Sequence, residues 1–190
     1  MIRSYLESVT GIITGSDHLL DLKLNRDLFE LGMAGEGVVD DTVWLVKSHY
    51  PERLGHSPVA VNRCVLVVRS PLDSFWSFFN MMATQSHNQS IPEGKVLALQ
   101  EIWDLFIRDE VKTWRDFHEY WVKPPQKVPL HVVRYEDLLS HPEETLVELL
   151  KFLYSRLDDL SETLLVKRIK EATVKKPEVY KPRSGQAHAN

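Results

Sequence analysis

Cysteine is almost missing from this sequence: Cys64 stands alone among 190 residues. That excludes an internal disulfide framework and any cysteine-built metal site. Its place at the start of an apolar run reads as a buried side chain. A basic excess is missing too. The chain carries 23 lysines and arginines against 27 aspartates and glutamates, a net charge of −4, which argues against a general nucleic-acid binder. Apolar runs such as Val65–Val68 fall far short of the ~20 residues a membrane span needs. Residues 1–7 open no apolar signal-peptide core, so the chain as written reads as soluble. There is no internal repeat and no low-complexity segment. No G-x-x-x-x-G-K-[ST] loop occurs, which counts against a small kinase or another nucleotide enzyme built on that motif.

What is present suits one α/β domain over residues 1–190, with 43% hydrophobic and 26% charged residues and a tail, 176–190, that reads as disordered. Three β-branched runs, Val43–Val46, Cys64–Val68 and Leu130–Val133, are nearly continuous in apolar residues. Such runs suit parallel strands covered on both faces. Each precedes a helical pattern, giving repeated βα units whose right-handed crossovers gather the strands' C-terminal ends at one edge. Ser70-Pro71-Leu72-Asp73 predicts a helix start, with Phe75, Phe78, Phe79 and Met82 on one face. A long aromatic helix is predicted from about Pro92 to Trp121, its Trp103, Trp114 and Trp121 facing the core. Two more helices follow, one burying Leu146, Leu149, Leu150 and Leu153, the other near Ser161–Ala172. Residues 1–10 form a helix with Tyr5, Leu6 and Val9 on one side, and 11–40 read as a long connection.

Four constellations carry polar chemistry. Lys47 and His49, two residues apart after the first run, point the same way on extended backbone, pairing a cation with a base near neutral pH. Taken alone, K-x-H reads as a solvated loop. Arg69 ends the second run and meets a helix N-terminus, with Ser77 two turns along; together they suit a phosphate, or else Arg69 pairs with Asp73. Tyr135, with Glu136 and Asp137, ends the third run and suits either a nucleobase or a core plug. The basic tail from Lys167 to Arg183 reads either as a solvated terminus or as a phosphate-binding flap.

In this order and spacing the constellations resemble the sulfotransferase family. Its K-[TS]-H-x-P segment is matched by Lys47–Pro51, its R-[NS]-P-x-D strand end and later serine by Arg69 and Ser77, and its Y-E-D segment by Tyr135–Asp137. The resemblance covers residues 40–175 closely. More loosely, Thr173 and Arg183-Ser184-Gly185 are similar to the family's adenine-side threonine and R-x-G phosphate segment.

The resemblance implies a three-layer parallel sheet flanked by helices, in the P-loop NTPase-like manner. It implies 3′-phosphoadenosine 5′-phosphosulfate (PAPS) as sulfuryl donor, a small-molecule or carbohydrate hydroxyl as acceptor, and no metal. His49 would be the base and Lys47 would balance leaving-group charge. Arg69 and Ser77 would hold the 3′-phosphate, Arg183 and Gly185 would serve a phosphate of the nucleotide, and Tyr135 and Thr173 would lie near the adenine. The family's P-[KR]-[ST]-G-[TN]-[TS] loop for the 5′-phosphosulfate has no match here. Gly11–Gly15 and Gly32–Gly37 follow no strand that opens a helix, so neither replaces it. The expectation is a domain shortened at its N-terminus, with weak donor binding and slow turnover or a purely scaffolding role. Its compartment would be the cytoplasm, or the Golgi lumen if an upstream anchor has been lost; its oligomeric state is left open.

Overall fold

The fold is mixed α/β with small parallel sheets. A computed structural model describes residues 1–17, 26, 28–30, 32–49, 51, 60–86, 89–123, 128–154 and 162–174. In chain order the elements are α1 (Ile2–Thr10), β1 (Gly15–Ser16), β2 (Val46–Lys47), β3 (Cys64–Val68), α2 (Pro71–Thr84), α3 (Glu93–Val96), a 3₁₀ turn (Leu97–Leu99), α4 (Gln100–Val122), β4 (Leu130–Arg134), α5 (Tyr135–Ser140), α6 (Pro142–Leu153) and α7 (Glu162–Val174). The described residues fall into two compact units. One draws on Met1–Val68 and Pro124–Tyr180, the other on Arg69–Lys123.

In the first unit β1 pairs with β2 in parallel, Gly15 opposite Val46 and Ser16 opposite Lys47. β3 pairs with β4 in parallel, from Cys64 opposite Leu130 to Val68 opposite Arg134. The core gathers Tyr5, Leu6 and Val9 of α1, Val133 of β4, Leu138 of α5, Leu146, Leu149 and Leu150 of α6, and Ile169 and Ala172 of α7. Burying each of the larger apolar side chains contributes roughly 1.5–3 kcal/mol. α6 forms as its sequence demands: Pro142 at the first turn, Glu143 and Glu144 behind it where the helix dipole favours acids, Lys151 in the last turn. α7 packs on both α1 and α6. α1 stops at Gly11, whose φ of 73° lets its N–H reach the Glu7 carbonyl.

Several expectations are corrected. Residues 11–40 are not all connection, because β1 lies within them; two residues, one a glycine, give no apolar run to read. The strand expected at Val43–Val46 is confined to Val46–Lys47. Coverage of the longer sheet is one-sided at each strand: Leu66 and Val133 are buried while Val67 and Val132 stay 45% and 49% exposed. Cys64 is only half-buried, though burial still pushes its thiol up to about 11.

A close backbone approach fixes β1. A Cβ on Gly15 would lie 2.1 Å from the Val38 carbonyl oxygen, and one on Gly35 would lie 2.2 Å from that of Thr14. Only glycines let the 35–38 segment lie against this strand. Gly15→Ala should therefore cost roughly 1–3 kcal/mol or more and lower the thermal midpoint by several degrees. Gly94→Ala, in α3 with nothing within 4 Å of the new Cβ, should leave it unchanged or raise it. Equal melting of Gly15→Ala and the parent chain, followed by circular dichroism, would contradict this packing.

The second unit is aromatic. Phe75 and Phe79 of α2 are buried as expected. Phe79 meets Trp103 and Phe106 of α4 at centroid distances of 5.1 and 5.3 Å. Met82 is exposed, contrary to expectation, and Asn80 is buried instead. The Asn80 amide donates to the Trp76 carbonyl, and its oxygen accepts the Ile91 N–H. The long helix is broken into α3, the 3₁₀ turn and α4, and no residue of α4 is fully buried. Trp103, Trp114 and Trp121 are half-buried rather than core.

Candidate functional site

In the first unit, parallel pairing carries Ser16–Asp17 and Lys47–Ser48 to the same end of the β1–β2 sheet, where the Asp17 N–H donates to the Lys47 carbonyl at 3.0 Å. Lys47 and His49 are half-buried there and Ser48 is exposed. The start of α1 reaches the same place. Burial, and then the charges of Lys47 and Arg3, hold the Met1 amine well below its ordinary pKa. Tyr135 lies close to α1 as well: burial raises the Tyr5 phenol and the neighbouring Tyr135 adds to that shift. The expected residues Lys47 and Tyr135 thus both border the first turns of one helix. The Lys47 charge therefore reaches the first turn of α1, where helix N–H groups also favour an anionic ligand.

Sequence reasoning missed what fixes this helix. Arg3 is buried, its Nε donating to Thr14 Oγ1 and its Nη2 to the Thr14 carbonyl, each at 2.8 Å. Its Nη1 pairs with Glu36, and the two side chains are 9% and 4% exposed. The Thr14 N–H and hydroxyl both donate to Glu7. Asp17 is also buried, and its Oδ1 has no hydrogen-bond partner among the described residues. An arginine on the apolar side of α1 was the one available signal, since such a charge must be paired when buried.

At the end of β4, Tyr135 opens α5, where Glu136 and Asp137 occupy the first turn and suit the helix dipole. Arg134 pairs with Asp137 at 3.5 Å in an exposed position. Thr173 lies in the last turn of α7 and its hydroxyl donates to the Lys170 carbonyl of the same helix. Arg183 and Gly185, like the tail 176–190, lie outside the described residues.

The second unit holds the other expected pair. Arg69 is half-buried just before α2, Ser70 stands at the N-cap and Pro71 opens the helix. The cap is made by backbone, with the Ser74 N–H donating to the Ser70 carbonyl at 2.9 Å, and not by the serine side chain. Ser77 is half-buried on the second turn. Among the described residues no group of three or more histidine, cysteine, aspartate or glutamate side chains could hold a metal ion. No helix there is long and apolar enough to cross a membrane.

The profile of the sulfotransferase domain matches residues 40–188. The chain belongs to the sulfotransferase domain family. Its similar curated proteins include a WSCD family member of Drosophila pseudoobscura pseudoobscura, 29% identical over 164 residues that make up 86% of this chain and 48% of that protein. A WSCD family member of Drosophila melanogaster is 27% identical over 80% of this chain and 45% of its own length. One of Aedes aegypti is 26% identical over 83% and 47% respectively. The chain spans about half the length of the curated relatives it matches. No solved structure matches it. Membership in the family brings sulfuryl transfer as the activity of the family at large.

Proposed function

We propose that this chain carries residues of a PAPS-dependent sulfotransferase site and a P-loop-like three-layer architecture. The observation that supports it best is the placing of Lys47 and His49, both half-buried, at the end of β2, where the Lys47 charge reaches the first turn of α1. PAPS brings an activated sulfuryl group on its 5′-phosphate. His49 takes the proton of an acceptor hydroxyl as the new oxygen–sulfur bond forms and the bond from sulfur to the phosphate oxygen breaks. Lys47 balances the charge left on the departing 3′,5′-bisphosphate. Arg69 and Ser77 hold the 3′-phosphate through charged and hydroxyl hydrogen bonds. Tyr135 and Thr173 serve the adenine, and Arg183 and Gly185 the phosphate. The acceptor is a small-molecule or carbohydrate hydroxyl.

Transfer assays with ³⁵S-labelled PAPS and a panel of phenols, steroid alcohols and sugars test the reading. Label is expected on at least one hydroxyl compound, with bisphosphate appearing in equal amount. Bisphosphate release no faster than in protein-free controls, across the panel, would overturn it.

A further inference from the structure

The chain Glu36–Arg3–Thr14–Glu7 links three separate segments. Arg3 belongs to the first turn of α1, Thr14 immediately precedes β1, and Glu36 comes from the 32–38 segment. A cation in the first turn opposes the helix dipole, so burial of Arg3 there depends on compensating carboxylates. Glu36 supplies one directly, and Glu7 supplies a second through Thr14. The glycine at position 35 lets this segment lie directly on the Thr14 carbonyl. From Thr14 the chain continues into β1, whose Ser16 is opposite Lys47 and whose following N–H, that of Asp17, bonds the Lys47 carbonyl.

We infer that Arg3 and Glu36 form a positioning pair that sets the register between the start of α1 and the Lys47–His49 segment, and so tunes anion binding at that edge. The pair touches neither donor nor acceptor. It acts through Thr14 and β1. The fork of the guanidinium is essential, because one nitrogen engages Glu36 while two others grip Thr14 at its hydroxyl and carbonyl. A lysine keeps the charge and cannot reproduce that three-way geometry. This inference rests on the proposed function for its ligand, and on the bonded network alone for its geometry.

The test compares the full chain with Arg3→Lys, Arg3→Met and Glu36→Gln at a temperature where circular dichroism shows each folded. Two readouts are taken: calorimetric affinity for adenosine 3′,5′-bisphosphate, and the backbone amide shifts of Gly15, Ser16 and Lys47 by ¹H–¹⁵N NMR. Both arginine variants should lose affinity by on the order of tenfold to a hundredfold. Both should also displace these three amides while those of Val65 and Val133 hold. An Arg3→Lys chain with parental affinity and amide shifts would overturn the inference, as would a lowered melting temperature with neither readout moved. If the parent chain binds no bisphosphate, the proposed function fails, and the amide shifts alone decide the positioning role.

Discussion

Replacing His49 by alanine should lower the rate of sulfuryl transfer by about 10²–10⁴-fold, the usual contribution of a positioned general base. The residue lies just past β2, outside the buried core cluster of α1, α6 and α7. Its loss should therefore leave folding and donor affinity nearly intact, placing the effect in kcat. His141→Ala is the control: that side chain is exposed between α5 and α6, its ring nitrogen bonded to the Ser140 hydroxyl. Its rate should match the parent. A His49→Ala rate within threefold of the parent would remove His49 from the reaction.

The second large effect is expected at Arg69. Hydrogen bonds to charged groups are worth about 1.5–3 kcal/mol, so Arg69→Ala should weaken adenosine 3′,5′-bisphosphate binding by roughly 10–200-fold. The loss should vanish for adenosine 5′-monophosphate, which lacks the 3′-phosphate that Arg69 is assigned to hold. Arg69→Lys should fall between, keeping charge without the planar fork. Calorimetry with both nucleotides separates these outcomes. An equal loss for the two nucleotides would mean that Arg69 supports the α2 start rather than the phosphate.

Most helices were legible because their signals are local. Pro71 and Pro142 mark the starts of α2 and α6, and Leu146, Leu149 and Leu150 repeat at the helical period. The family's polar residues were legible because their spacing is ordered along the chain, from Lys47 to Asp137. What escaped is long-range. The burial of Arg3 depends on Glu36, 33 residues away, and no local pattern announces that pairing. β1 escaped because a glycine and a serine acquire strand geometry only from β2 beside them. The break at Leu97–Leu99 escaped because apolar spacing continues through it. The one-sided coverage of Val67 and Val132 likewise reflects which helices reach each strand, which an unbroken apolar run cannot specify.

The central proposal assigns Lys47, His49, Arg69 and Tyr135 to binding the donor nucleotide. Titrating ¹⁵N-labelled chain with adenosine 3′,5′-bisphosphate and following the amide signals tests it most directly. Saturable shifts at residues 46–49, 69–70 and 134–136, with the α6 core signals unmoved, are the predicted result. No saturable shift, or shifts confined to residues away from these three segments, would contradict it.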